Sequence, residues 1–306
     1  MQILITGAAG NLGSFLTRHL TGGTHQLRLL VHHRPAPSVA NAEAVRADLG
    51  NAQTLSGVCD GIDCIVHFAG VLFAPRPEKF LPTTNVRYVE NLVTAASAAG
   101  VRRFILISFP HVEGETTPEC RATDRLDGTP GSFHARTRLE AERCVLARMP
   151  EPVILRAGMI YGRGVLMIDA ARWLAERRLL AVWRQPTWIH LLSLPDFLDA
   201  TTAAIENPAT RGVYNLGDDK PVTLQEFLDA ACAYWGCTRP WRAPRWMFPC
   251  AGAACEAFAA LFGTRAPLTR DFIRIGMASY AMDPTRMKTD LLPQLKYPVL
   301  HPQGVL

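Results

Sequence analysis

The chain is expected to be an α/β protein wound on both faces of a parallel sheet, and three observations lead there. Short apolar runs (MQILIT, HQLRLLVHH, CIVHFAG, RRFILISF and EPVILRAG) alternate with segments of helical periodicity such as NLGSFLTRHLTGG and NVRYVENLVTAASAAG. Parallel neighbours cannot be joined by a hairpin, so this alternation calls for βαβ units. The runs are apolar almost throughout, as strands covered on both faces must be. The first of them ends in a glycine-rich turn that opens a helix.

That turn, TGAAGNLG, places Gly7, Gly10 and Gly13 as G-x-x-G-x-x-G, with Asn11 and Leu12 between the last two. The spacing is close to the dinucleotide fingerprint, with the first gap one residue longer. Glycine permits the tight bend and lets backbone N–H groups approach a pyrophosphate at the helix N-terminus, where the helix dipole favours negative charge. The second strand ends in His32, His33 and Arg34 rather than in an acid. A carboxylate there would bind a ribose 2′-hydroxyl, whereas these cationic types suit a 2′-phosphate, so NADP(H) is the expected coenzyme and NAD(H) the alternative. On the plainer reading Arg34 merely points to solvent ahead of Pro35. Asp48 and Leu49 in RADLGN are placed to grip an adenine edge, and Phe68, Ala69 and Gly70 close the next strand at the same sheet end.

Composition narrows the partners. With 306 residues, 48% of them hydrophobic, the chain can bury a large core, and a net charge of +5 spread without a basic run argues against nucleic acid. Eight cysteines lack a CxxC pair or a histidine cluster at metal spacing, which suits reduced thiols better than a disulfide framework or a zinc site. The opening MQILITG has no basic segment before a cleavage site, so a cytoplasmic enzyme acting on a small molecule is expected. The most apolar window, WMFPCAGAACEAFAALFG, contains Pro249 and Glu256 and is short for a bilayer, so it reads as a packed or lid-forming helix and not a membrane span.

These residues resemble an extended short-chain dehydrogenase/reductase of the NAD-dependent epimerase/dehydratase family. TGAAGNLG, ADLGN, DCIVHFAGV, TTNVRYVENLVTAA, RFILISF, PVILRAGMIYGRG, WIHLLSLPDFLDAT and GVYNLGDDKPVTLQEF fall in the family's order. The resemblance implies a Rossmann-type core over 1–158, continued by about 185–220. A smaller, largely C-terminal substrate-binding part would comprise 159–184 and 221–306. It also locates a departure. The family's catalytic Ser or Thr falls on Phe109 or Pro110, with Ser108 a step early, and its Tyr-x-x-x-Lys falls on His134 and Arg138.

An i, i+4 pair shares one helix face, so His134 and Arg138 can still enter the cleft together. Arg138 supplies a permanent charge and ribose hydrogen bonds. Beside it His134 is expected to be neutral and to serve as a base, unless it is only a helix-face residue. Ser108 and His111 lie at the carboxyl end of the fourth core strand, where either can meet substrate. Met159, Tyr161 and Arg156 resemble the family loop near the nicotinamide, while Arg163, Trp183, Trp188 and His190 are candidates for the substrate side.

The C-terminal portion is apolar and aromatic, with no evident cluster of Arg and Lys facing a diphosphate. It therefore resembles branches that act on hydrophobic alcohols and ketones. The expected function is an NAD(P)-dependent oxidoreductase or epimerase acting on a small, rather apolar hydroxyl or keto compound. The alternative is a catalytically silent NADP(H)-binding sensor. A homodimer through the helices around Arg87 to Ala99 and His134 to Met149 is compatible with the sequence.

Overall fold

The computed structural model describes all residues except 71–75, 265 and 267. Its centre is a seven-stranded sheet. The first six strands are β1 (Gln2–Thr6), β2 (Gln26–Val31), β3 (Ala42–Arg46), β4 (Cys64–His67), β5 (Arg103–Ser108) and β6 (Glu151–Ala157), and the seventh is Gly212–Leu216. The order runs Gly212–Leu216, β6, β5, β4, β1, β2, β3. Every pairing between neighbours is parallel. The chain turns outward in opposite directions from the β1–β4 boundary, so the sheet has its topological switch point there, the place where open α/β sheets bind ligands.

The middle of the sheet has the burial that its apolar runs predict: all six residues of β5 and all four of β4 are buried. The two edges were not evident as strands. Ala42–Arg46 reads AEAVR and is half exposed, and Gly212–Leu216 mixes Tyr214 and Asn215 with its aliphatics. An edge strand covered on one side does not need a continuous apolar run, so its periodicity signal is short and faint.

Two helices position most of the polar residues. Residues Pro82–Arg87 form a π-helical turn that leads into the helix Tyr88–Ala98, and it carries Asn85 fully buried. Such turns add a residue to the helical ladder and commonly mark functional positions. Helix Phe133–Arg148 begins where Ser132 accepts a hydrogen bond from the Ala135 N–H. Asp271, from the helix Arg270–Met277, accepts the Phe133 and His134 N–H groups at 3.0 and 3.3 Å. Three orphan donors of the first turn are thereby satisfied, and a carboxylate lies at the positive end of the helix dipole.

The same helix is fixed to the sheet by a buried ionic network. Arg156 on β6 donates to both Glu142 oxygens and, at 2.6 Å, to Glu113. Arg156 and Glu142 are 0% exposed. The Ser108 hydroxyl donates to Glu142 at 2.5 Å. Arg156, expected near the nicotinamide, is thus corrected to a framework residue that ties β6, β5 and the Phe133 helix together.

Helix Met247–Phe262 packs on Arg270–Met277 through Gly252, where an added Cβ would lie 2.6 Å from Ile273 Cδ1. Among the described residues no helix is long and apolar enough to cross a membrane.

Candidate active site

The glycine turn is built for close approach. Gly7 has φ +71°, and a Cβ there would sit 2.9 Å from the Ala69 nitrogen; a Cβ on Gly13 would overlap the Gly7 carbonyl oxygen. Gly10 N–H donates to that carbonyl at 2.8 Å, closing the bend. The following helix α1 (Asn11–His19) has no side chain capping its N-terminus, so its first N–H groups and dipole face the crevice. The residues present therefore fit a dinucleotide diphosphate. Leu12 is half-buried against the core. Asn11 behaves differently from expectation: its amide donates to Gly164 O at 2.8 Å and accepts from Leu166 N–H at 3.0 Å. It latches the sheet end to the loop after Tyr161.

His32, His33 and Arg34 are all exposed just beyond β2. The two rings stack at 3.6 Å, and His32 Nε2 stands 3.9 Å from Asp48. Asp48 caps its own turn by accepting the Gly50 N–H, and the Leu49 carbonyl is held by Asn91. Phe68 packs edge-on to Phe197, Ala69 lies against the glycine turn, and Gly70 faces Arg138 and Asn85.

His134 and Arg138 are both buried, on one face of the Phe133 helix. The Arg138 Nη2 lies 3.3 Å from where a Gly70 Cβ would be, so the guanidinium occupies the end of β4. Among the described residues its Nε and Nη1 are buried without a hydrogen-bond partner, as are His67 Nε2 and Asn85 Oδ1. Buried donors of a charged group are rarely left unmade, so these orphans point to a ligand rich in acceptors, such as ribose hydroxyls. Burial lowers Arg138 to about 10, which still leaves it charged at neutral pH.

His134 is held down to about 3, first by burial and then by the positive charge of Arg138. His67 falls to about 3 and His111 to about 4, mainly through burial. The hydrogen bonds around His134 bring a side-chain amide to its ring. The Thr137 hydroxyl donates to the Phe133 and His134 carbonyls, so its oxygen accepts from the Asn85 amide at 3.0 Å. That same NH₂ faces His134 Nδ1 at 3.4 Å. A neutral imidazole whose Nδ1 accepts from that amide carries its proton on Nε2. Asn85, from a different element, thus meets the ring of the residue expected to serve as a base.

Ser108 is not brought to His134. Its hydroxyl is engaged with Glu142 in the buried network, whereas Phe109, one step on, lies with its ring 5.1 Å from the His134 ring. His111 stacks between Phe109 at 5.3 Å and Tyr280 at 4.4 Å. Trp183 donates to Thr187 and His190 Nδ1 accepts the Met282 N–H, which makes both framework residues.

A cavity of about 580 Å³ opens beyond His111 and is lined by Ser132, Pro249, Ile273, Ile275 and Met277 among others. Arg245, Arg270 and Arg274 line it as well. The absence of an arginine cluster read from the sequence is thus corrected. Residues dispersed over 30 positions converge because two helices pack there, and linear spacing carries no trace of it.

A parallel sheet with a glycine turn at its switch point, and a buried cation on the helix beside it, defines a nucleotide-dependent α/β enzyme architecture. Residues 3–217 match the NAD dependent epimerase/dehydratase family, and the chain belongs to that family. Over its length it is 27% identical to a 2-alkyl-3-oxoalkanoate reductase of Stenotrophomonas maltophilia (strain K279a), with 96% of each chain covered. Among solved structures it is similar to the human epimerase family protein SDR39U1 with NADPH (TM-score 0.76, 18% identity, 98% of this chain and 96% of that one). Another similar structure is the Bordetella bronchiseptica enzyme WbmG in complex with NAD (TM-score 0.74, 22% identity, 95% and 87% covered). Reductases and dehydrogenases are thus among the relatives of this chain.

Proposed function

We propose that the protein is an NADP(H)-dependent oxidoreductase that reduces the carbonyl of a small, largely apolar keto compound. One arrangement carries the reading: a neutral His134 whose Nδ1 faces the Asn85 amide, which leaves Nε2 to bear the ring proton, beside a buried Arg138 whose Nε and Nη1 have no partner among the described residues. A bound nicotinamide coenzyme supplies the hydride. Its diphosphate would rest on Gly7, Gly10, Leu12 and Gly13, its adenine near Asp48 and Leu49, and its 2′-phosphate on His32, His33 and Arg34. Phe68, Ala69 and Gly70 would border the nicotinamide half, with Arg138 on the ribose.

His134 then polarises the substrate carbonyl as a hydrogen-bond donor. A neutral imidazole does this without becoming an imidazolium, the same logic as an electrophilic histidine in an isomerase. Arg138 adds a fixed positive field for the developing alkoxide, which takes the proton that completes the alcohol from solvent water. Ser108 acts at one remove, holding Glu142 and so the helix. In this division 1–158 with 185–220 carry the coenzyme, while 159–184 and 221–306 carry the substrate. The cavity sets Pro249, Ile273, Ile275 and Met277 beside Arg245, Arg270 and Arg274, and together with the similarity to a reductase of 2-alkyl-3-oxoalkanoates this supports a keto substrate with an apolar chain and an anionic group.

The test is coenzyme titration by fluorescence, followed by nicotinamide absorbance with a panel of 3-oxo acids and ketones. NADPH should bind more tightly than NADH, and Arg138→Met should weaken it at least ~10-fold. His134→Ala should cut turnover by about 10²–10⁴ with coenzyme affinity nearly unchanged. Normal NADPH binding with no turnover of any carbonyl would leave a silent coenzyme sensor, and unchanged turnover in His134→Ala would remove the histidine from the chemistry.

A further inference from the structure

The Met247–Phe262 helix turns an apolar side outward. Its inner face is Phe248 against Trp183, Gly252 against Ile273, and the buried Ala259. The opposite stripe is Met247, Cys250, Ala254, Ala257, Phe258 and Leu261, all exposed. Phe258 is 59% and Leu261 77% exposed, and Phe262, 4.5 Å from the Phe258 ring, is 60% exposed. A surface helix normally sets charges on that side, and an apolar patch of this kind marks a surface that something covers.

Charge selects the cover. Residues 235–274 hold Arg239, Arg242, Arg245, Arg265, Arg270 and Arg274 against Glu256 and Asp271 alone. Glu256 is spent on Arg270, and Asp271 caps the Phe133 helix. Among the described residues Arg245 and Arg274 reach backbone carbonyls alone, at 3.3 and 3.4 Å, and both are exposed. Trp246, 68% exposed, stands at the head of the stripe, the amphipathic ring type that favours a headgroup region. A second copy is the poorer occupant, since a two-fold contact would bring equal basic rims together.

We propose that this face docks the protein on an anionic membrane surface. The apolar stripe lies in the boundary between headgroups and acyl chains, and Arg245 and Arg274 lie on the headgroups. Because Arg245 and Pro249 also line the cavity beyond His111, its mouth then opens at the lipid, where apolar compounds concentrate.

Co-sedimentation of the full chain with vesicles tests this directly. Phosphatidylcholine vesicles containing about a quarter phosphatidylglycerol should bind it, pure phosphatidylcholine should bind it far less, and about 0.5 M salt should release it. Arg245→Gln and Arg274→Gln should each lower partitioning about fivefold. Phe258→Glu with Leu261→Glu should abolish it while leaving the melting temperature and NADPH affinity unchanged. The proposal fails if neither vesicle binds, if both bind equally, or if centrifugation finds a dimer that Leu261→Glu dissociates.

Discussion

Replacing His134 by Gln isolates the environment that makes this imidazole a neutral donor. In the unfolded chain His134 titrates at 6.5 and in the folded protein at about 3. A depressed folded value means that the unfolded state binds the extra proton first. The contribution is therefore fully present above about pH 6.5 and is lost as pH falls toward the folded value. Between about pH 7.5 and pH 5 the linkage amounts to about 2 kcal/mol for this one side chain.

The raw slope of stability is not diagnostic. His67 and His111 act in the same direction, while Asp218, whose burial raises its carboxyl to about 8, acts in the opposite one. The informative quantity is a double difference. Urea unfolding followed by circular dichroism at the two pH values should give His134→Gln an acid loss about 2 kcal/mol smaller than that of the parent. Equal losses in the two proteins would refute the neutral, desolvated imidazole and, with it, the donor assignment.

Two further outcomes test the frame around the site. Arg156→Met leaves Glu142 and Glu113 buried without their cation and should cost about 3–5 kcal/mol in urea unfolding, with much of it recovered when Glu142→Gln is added. Gly13→Ala forces a methyl onto the Gly7 carbonyl, so calorimetry should show NADPH binding weakened at least ~10-fold and stability lowered by about 1–3 kcal/mol.

The sheet centre and the glycine turn were legible because their causes are local. An apolar run that must be covered on both faces, and a bend that only glycine can make, leave their marks within a few adjacent residues. His134 and Arg138 were legible as a pair for the same reason, four positions apart on one helix. What escaped was set by contacts with no local signature. Asn85 meets Thr137 across 52 positions, Asn11 meets Leu166 across 155, and Glu142 meets Arg156 from separate elements. The C-terminal arginines and the outward apolar stripe were hidden too, since which side of a helix faces solvent is decided by its neighbours and not by its own composition.

The carboxylate of Asp271 has a consequence for biogenesis. It closes the first turn of the helix bearing His134 from 137 positions downstream. During synthesis the strands can therefore assemble, and the coenzyme bend can form, while the histidine still sits at a frayed end. Nascent chains stopped short of that aspartate would possess the scaffold with two donors of that first helical turn still unclosed.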